Sequence, residues 1–337
     1  MRKIGLHTVE FETAPAVVSS AACVGKTEGE GPLAEYFDTV NKDDGIKCGT
    51  WEHAEAALVK QASQCCLKKA QIEAKDVDIV FAGDLLNQCT ASTFGLKELE
   101  IPAAGLFGAC STFALALYMA ALTVETGAAI FAMAEASSHF CSAEKQFRYP
   151  LEYGGQRTPT SQRTVTGAGA VLVGESEKEN AVRIRRGSVG IITDYGIKDI
   201  SNMGAAMAPA AARTIALFLK DTKTVPDDYD MILTGDLGAV GSGLLVELMR
   251  EEYGTDISGV HADCGKMIFD DKRQDVHAGG SGCGCSAAVV CSKIIKMLES
   301  RETDHVLFIG TWALMSPLTV FQGDSIPCIA HAVLLSR

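Results

Sequence analysis

Residues 76–86 read DVDIVFAGDLL, and residues 228–238, 152 positions later, read DYDMILTGDLG. Five of the eleven positions are identical, and both copies run from an aspartate through an apolar strand to Gly-Asp-Leu. Apolar residues at helical spacing precede each copy, at 52–70 and at about 205–220. The recurrence predicts that the chain contains one α/β unit twice.

Two further correspondences follow in the same order. The sequence GACS, ending at Ser111, pairs with CGCS, ending at Ser286, and each opens an apolar helix. The strands GAGAVLV (167–173) and IAHAVLL (329–335) also correspond, and such continuous apolar strands are typical of sheets covered by helices on both faces. We predict an α/β fold in which two halves, related by a pseudo-twofold axis, form a layered αβαβα arrangement with a shared central helix layer.

The boundary between the halves is expected in a charged run without periodicity, GESEKENA (174–181). We predict an N-terminal half at 1–175, with an insert loop at about 137–164, and a C-terminal half at 176–337.

Composition excludes several classes of protein. The chain has 337 residues, 47% of them apolar, and a formal net charge of -12, which fits a globular protein and argues against nucleic-acid binding. Its twelve cysteines are spread among apolar stretches, so we expect reduced, buried thiols, and neither a metal site nor a cofactor is predicted. The first residues lack an apolar signal segment, which favours an intracellular location. The uncharged stretch 101–124 is long enough to span a bilayer, but its alanine-rich composition favours a buried helix.

Cys110 follows a glycine-rich turn and opens the first of the apolar helices, in GLFGACSTFALAL (105–117). Free N–H groups and the helix dipole at such a position stabilise a thiolate and attract carboxylates. The pattern therefore predicts either a nucleophile or the floor of an anion-binding pocket.

The repeated halves, the cysteine at the start of a central helix, and the segments AMAEASS (132–138) and TVTGAGAVLV (164–173) resemble the thiolase-fold condensing enzymes. The segments GDLLNQ (83–88), EKQFRYPLEYGGQ (144–156) and AGGSGCGCSA (278–287) are more narrowly similar to the stage V sporulation protein AD family, and this resemblance runs nearly end to end. It implies a dipicolinic acid-binding protein of spore-forming bacteria, peripheral at the inner membrane of the forespore or spore, where it works with other sporulation channel proteins. It also implies a homodimer formed through the first-half sheet, with 101–134 at the interface.

The resemblance also allows the enzymatic alternative to be tested residue by residue. Ketoacyl synthases that resemble the chain carry a histidine after the strand equivalent to 231–234, where this sequence has Gly235-Asp236, and an asparagine or histidine where it has Gly279–Gly282. General-base assistance typically contributes about two to four orders of magnitude in rate. We therefore expect a catalytically degenerate protein rather than an enzyme. The alternatives are an acyltransferase acylated on Cys110, for which His331 and Cys328 could form a rearranged pair, and an assembly scaffold with a vestigial pocket.

Dipicolinate is a planar pyridine with two carboxylates, and it could bind as the free dianion or as its calcium chelate. One carboxylate would accept hydrogen bonds from the N–H groups of Ser111 and Thr112. Asp84 and Asp236 would contact ligand or calcium, or fix the pocket loops by bonding backbone N–H groups, and Arg148 would bind ligand or lie on a solvated loop. The predicted ligand-binding residues are Cys110, Ser111, Thr112, Asp84, Asn87, Gln88, His139, Arg148, Asp236 and His331.

Overall fold

The computed structural model describes residues 1–147, 156–178 and 180–337. Its strands are β1 (Arg2–Ile4), β2 (Thr8–Glu10), β3 (Ala16–Val24), β4 (Thr39–Val40), β5 (Ile79–Gly83), β6 (Ala103–Gly105), β7 (Ala132–Ser138), β8 (Arg163–Thr164), β9 (Gly167–Gly174), β10 (Arg183–Ser188), β11 (Met231–Thr234), β12 (His261–Asp263), β13 (Gly280–Ser281), β14 (His305–Ala313) and β15 (Cys328–Ser336). Its helices are α1 (Lys26–Gly29), α2 (Trp51–Ala70), α3 (Thr90–Leu96), α4 (Thr112–Glu125), α5 (Phe140–Phe147), α6 (Met203–Thr222), α7 (Gly238–Tyr253), α8 (Cys264–Met267), α9 (Cys283–Val289), α10 (Ile295–Ser300) and α11 (Pro317–Phe321).

The two halves have the same sheet topology. The strand order is β6-β5-β7-β9-β3 in the first half and β12-β11-β14-β15-β10 in the second. In the first half β5 is parallel to β6 and β7, and β9 is antiparallel to β7 and β3. The second half repeats this pattern, with β11 parallel to its two neighbours and β15 antiparallel to β14 and β10. The predicted duplication is confirmed.

The helices and sheets form five layers. Their buried side chains form three apolar cores: a central one shared by both sheets and the helices between them, and one on the outer face of each sheet. Helix α2 covers the outer face of the first sheet, and α6 and α7 cover the outer face of the second. Helices α4 and α9 lie between the sheets, where Phe113 of α4 packs against Phe308 of β14 with ring centroids 6.2 Å apart. This is the αβαβα arrangement that the sequence predicts.

The central helices are buried because they contact a sheet on each side. Residues of α4 and α9 share one apolar core with residues from both sheets, so the uncharged stretch 101–124 supplies the buried helix that its composition favours. Among the described residues, none of the helices combines the length and hydropathy that a membrane span requires.

The halves also meet at the sheet edges. β10 pairs with β2 and, at Arg183 and Ala16, with β3, so the two five-stranded sheets join into one. The hairpin of β1 and β2 is fixed by Asp221 of α6, whose carboxylate accepts hydrogen bonds from the N–H groups of residues 6–8. The predicted boundary at 175/176 falls in the connection between β9 and β10, whereas the first ten residues lie against the second half.

Candidate functional site

The turn before α4 places Cys110 in the centre of the molecule. Ala109 has a φ of 40°, and residues 109–111 form a single 3₁₀ turn from which α4 continues. The N–H of Ser111 donates to the Gly108 carbonyl at 3.0 Å, and the N–H of Thr112 donates to the Ala109 carbonyl. The expectation of free N–H groups at Ser111 and Thr112 is wrong, because the tight turn uses both of them internally.

The Cys110 thiol is enclosed by protein. The residue is 6% exposed, and its thiol lies beside the buried carboxyl of Asp236. Burial, followed by the charge of Asp236, raises the pKa of Cys110 well above the usual value for a thiol. The expected stabilisation of a thiolate by the helix N-terminus is therefore outweighed, and Cys110 is a protonated thiol.

Asp236 lies opposite Cys110, on the loop between β11 and α7. Its Oδ2 accepts from the Gly282 N–H at 3.0 Å, and its Oδ1 accepts from the Thr311 hydroxyl at 2.9 Å. Burial raises the pKa of Asp236 to about 7. The sequence indicated no base beside Cys110, and this is wrong, because the docking of the halves brings a carboxyl to the sulfur. The thiol nevertheless keeps its proton when Asp236 ionises, because the pKa of Cys110 is the higher of the two.

The glycine loop before α9 holds Asp236 in place. Gly282 has a φ of +95°, and a Cβ at this position would lie 2.7 Å from the Ser138 Oγ. A side chain therefore does not fit there, and the backbone N–H faces Asp236 instead. At Gly235 a Cβ would meet the Ser286 Cβ at 3.4 Å, an ordinary contact. Packing would therefore accept a Cβ at position 235, whereas it excludes a side chain at position 282.

Asp84 is the first-half counterpart of Asp236 in the repeat, and its surroundings differ. Its carboxylate accepts from the Leu86 N–H at 2.9 Å and from the Ser92 N–H and hydroxyl at 2.8 and 2.7 Å. Burial raises its pKa. These bonds fix the loop that follows β5, where Gln88 and Cys89 both have left-handed backbones, with φ of 57° and 55°. For Asp84 the geometry matches the loop-fixing alternative.

Asn87, on this same loop, lines an open cleft of about 330 Å³. The Asn87 N–H donates to the Gln146 Oε1 at 3.2 Å, which ties the loop to α5. On the opposite wall the Lys145 Nζ lies 2.6 Å from a Glu52 carboxylate oxygen. The cleft is lined by Glu52, Leu86, Asn87, Thr90, Ser142, Lys145 and Gln146. Arg148 follows the end of α5 in the sequence and lies outside the described residues.

Two predicted histidines are buried and bonded to backbone groups. The His139 Nε2 lies 2.8 Å from the Asp44 carbonyl, and its Nδ1 accepts from the Cys141 N–H at 3.1 Å. The His331 Nδ1 accepts from the Gly190 N–H at 3.1 Å, and burial lowers its pKa to about 4. Burial also lowers the pKa of His139. Both rings are therefore neutral at physiological pH.

Two further buried carboxyls, which the sequence motifs do not single out, hold elements around the site. Glu55 of α2 accepts from the hydroxyls of Ser137 and Ser142 at 3.2 and 2.5 Å, and burial raises its pKa to about 8. Asp263 accepts from the N–H groups of Leu237 and Gly238 and so holds the loop that carries Asp236. The signal for Glu55 was present, since a glutamate occupies an apolar position of the helix between two alanines. In the described parts of the chain, no cluster of three or more His, Cys, Asp or Glu side chains could hold a metal ion.

Solved structures that superpose on the chain include a 3-oxoacyl-[acyl-carrier-protein] synthase and a condensing enzyme. The 3-oxoacyl-[acyl-carrier-protein] synthase III of Aquifex aeolicus VF5 superposes with a TM-score of 0.57 and 13% identity over 96% of this chain and 100% of that one. The tetronic acid condensing enzyme AbyA1 gives a TM-score of 0.58 and 17% identity over 96% and 100% of the two chains. OleA of Xanthomonas campestris gives 0.58 and 13% over 96% and 98%. These likenesses establish the thiolase-like fold.

A closer relationship appears at the level of sequence. The chain is 42% identical to stage V sporulation protein AD of Bacillus subtilis (strain 168), over all of its length and 98% of that protein. The family model for stage V sporulation protein AD matches residues 5–336. The protein therefore belongs to the stage V sporulation protein AD family, a sporulation family with the thiolase-like fold.

Proposed function

We propose that the protein binds dipicolinic acid without transforming it, and that the ligand occupies the cleft beside Asn87. The observation that carries the location is the cleft itself, which is open, about 330 Å³ in volume and lined by both apolar and polar side chains, with the Lys145–Glu52 ion pair on its wall. Ligand pockets start at about 300 Å³, so this size suits a single-ring ligand. Two segments that carry the family resemblance, GDLLNQ and the start of EKQFRYPLEYGGQ, form its walls.

The charges of the cleft favour the calcium chelate over the free dianion. Lys145 offers an ammonium to a ligand carboxylate, but Glu52 already pairs with it. A free dianion would compete with Glu52 for Lys145. A calcium ion chelated by dipicolinate keeps open coordination positions, and a carboxylate is a preferred calcium ligand, so Glu52 could complete its shell. The Asn87 side chain and the Thr90 hydroxyl add polar partners at the rim.

Titration calorimetry with dipicolinate, in the presence and absence of calcium, tests this proposal. We expect Lys145→Met to weaken binding of both forms at least about tenfold, as loss of a charged hydrogen bond does. Glu52→Gln should weaken binding of the chelate but strengthen binding of the free dianion. The matched control is Lys75→Met, which removes a lysine from a surface ion pair with Glu73.

Cys110→Ala tests where dipicolinate binds, separately from whether the protein binds it. The buried thiol does not line the cleft, so binding should be unchanged. If Cys110→Ala abolishes binding and Lys145→Met does not, the ligand binds at the thiol and the cleft is the wrong site. If millimolar dipicolinate gives no heat with either calcium condition, the binding function itself is refuted, and an assembly scaffold remains.

Acyl transfer on Cys110 is the second candidate, favoured by the position of the Asp236 carboxyl beside the thiol. Incubation with a panel of acyl-CoA esters, followed by intact mass measurement, should give no adduct, because the thiol is protonated and enclosed. A stable acyl adduct that disappears in Cys110→Ser would establish the enzymatic reading.

We also propose that the protein acts as a homodimer within a peripheral assembly at the inner spore membrane, together with other sporulation channel proteins. Strand β6 is at the end of the strand order, and its Ala103 and Gly105 are exposed. Pairing of two β6 strands would continue the sheet across a twofold axis. Light scattering should give twice the monomer mass, and Ala103→Lys should shift the protein to monomer. A wild-type monomer at micromolar concentration would contradict the dimer.

A further inference from the structure

The three most exposed large apolar side chains in the described second half lie on two segments, residues 189–200 and 314–325. Phe321 is 89% exposed, Leu318 is 67% exposed and Ile192 is 65% exposed. Together with Val189, Tyr195 and Ile200 they form what we call the apolar patch. Single exposed apolar residues are common, but six on two adjoining segments are typical of an interaction site.

Backbone and side-chain bonds hold the two segments side by side. The Ile326 N–H donates to the Ile197 carbonyl at 2.7 Å, and Thr193 and Cys328 exchange two hydrogen bonds at 2.8 Å. The Ser325 hydroxyl donates to Asp194 at 2.5 Å. Leu318 and Phe321 are three residues apart on α11, so they project from one face of the helix. The Lys198 Nζ also donates to the Gly323 carbonyl at 2.7 Å, two residues after α11 ends. These bonds hold the segment 189–200 beside the chain that leaves α11.

The charges around the patch decide what can cover it. The segments 189–200 and 314–325 carry three carboxylates, on Asp194, Asp199 and Asp324, and a single ammonium, on Lys198. Glu252, bonded to Tyr195, adds a carboxylate, and Arg213, bonded to Thr193, adds a cation, so the balance stays negative. Hydrogen bonds from Ser325 and the Gly196 N–H lower the pKa of Asp194, so it is ionised at physiological pH. An anionic membrane surface would be repelled by this rim, and so would a second copy of the same patch.

We propose that the apolar patch is a docking surface for a segment of another protein that combines apolar anchors with flanking lysines or arginines. The anchors would cover Leu318, Phe321 and Ile192, and the basic residues would face the three carboxylates. Such complementarity sets the choice of partner, and the apolar anchors supply most of the affinity. The inference rests on the proposed membership of an assembly but not on dipicolinate binding, so either can fail alone.

Site-specific photocrosslinking tests the docking surface in the full-length protein. p-Benzoylphenylalanine is placed at Phe321, in cells that form endospores, and the crosslinked peptide is sequenced by mass spectrometry. The matched control carries the same group at Val225, which is 58% exposed on the same half and outside the patch. We expect an adduct only at 321, with a peptide of another protein that has apolar residues and net positive charge.

Moving the crosslinker to a second position of the apolar patch allows Phe321 itself to be replaced. With the crosslinker at Ile192, Leu318→Ser combined with Phe321→Ser should reduce the adduct at least about tenfold, as loss of two anchors does. An adduct with lipid, with a second copy of this chain or with an acidic peptide would overturn the proposal. Equal yields at 321 and 225, or no adduct at either, would do the same.

Discussion

Replacing Asp236 by asparagine should change the pH dependence of stability. The pKa of this buried carboxyl is about 7 in the folded protein and 3.8 in the unfolded chain. Because the folded pKa is raised, the folded state binds more protons, and stability is fully present below pH 3.8 and is lost as pH rises through 7. From pH 5 to pH 8 linkage of these two pKa values gives a loss on the order of 2–3 kcal/mol. Asparagine cannot ionise and escapes this loss.

Urea unfolding of the wild type and Asp236→Asn at pH 5, 6, 7 and 8 measures the effect. The other buried carboxyls are present in both proteins and cancel in the difference. We expect the asparagine variant to gain on the order of 2–3 kcal/mol relative to the wild type between pH 5 and pH 8. Asp227→Asn, at an exposed carboxylate, should show no such gain. A wild-type-minus-variant difference that stays constant within about 0.5 kcal/mol would refute the raised pKa of Asp236 and so its protonation in the folded protein.

Three further predictions follow from the packing of the site. Gly282→Ala should lower the free energy of unfolding by about 1–3 kcal/mol, because of its left-handed backbone and the clash described above, whereas Gly235→Ala should cost less than about 1 kcal/mol; equal costs in urea unfolding would contradict the packing argument. Ser92→Ala should lower the free energy of unfolding by about 1–2 kcal/mol, because the Asp84 carboxylate loses a buried hydroxyl donor. An unchanged denaturation midpoint would contradict this assignment. Iodoacetamide at pH 8 should modify Cys48, which is partly exposed, before Cys110, as read by peptide mass spectrometry; equal rates in the native protein would show that the thiol is accessible.

The fold could be predicted because the sequence pattern of one α/β unit occurs twice along the chain. The two Gly-Asp-Leu motifs mark the ends of β5 and β11, and the apolar runs around them coincide with strands covered on both faces. Such periodicity depends on neighbours in sequence, so it is visible without coordinates. The charged run 174–181, where we predict the boundary between the halves, is likewise a local feature of the sequence and lies at the connection between β9 and β10.

The site could be predicted only in part, since its decisive contact joins residues from different halves. Cys110 and Asp236 are 126 positions apart, and only the docking of the two sheets brings them together. The start of α4 was missed for a local reason. Ala109 adopts a left-handed backbone that alanine rarely takes, and the resulting 3₁₀ turn consumes the N–H groups that an ordinary α-helical start would leave free.

The N-terminal hairpin has a consequence for the order in which the molecule assembles. Residues 2–10 are synthesised well before their partners, β10 and Asp221, which follow about 176 to 215 residues later. At synthesis rates of about 5–20 residues per second, the hairpin waits at least about ten seconds with its edge unpaired. The first half must therefore fold before β10, the strand partner of β2, has been made. A fragment ending near residue 175 would never acquire β10, and we expect it to aggregate through the unpaired strand edge.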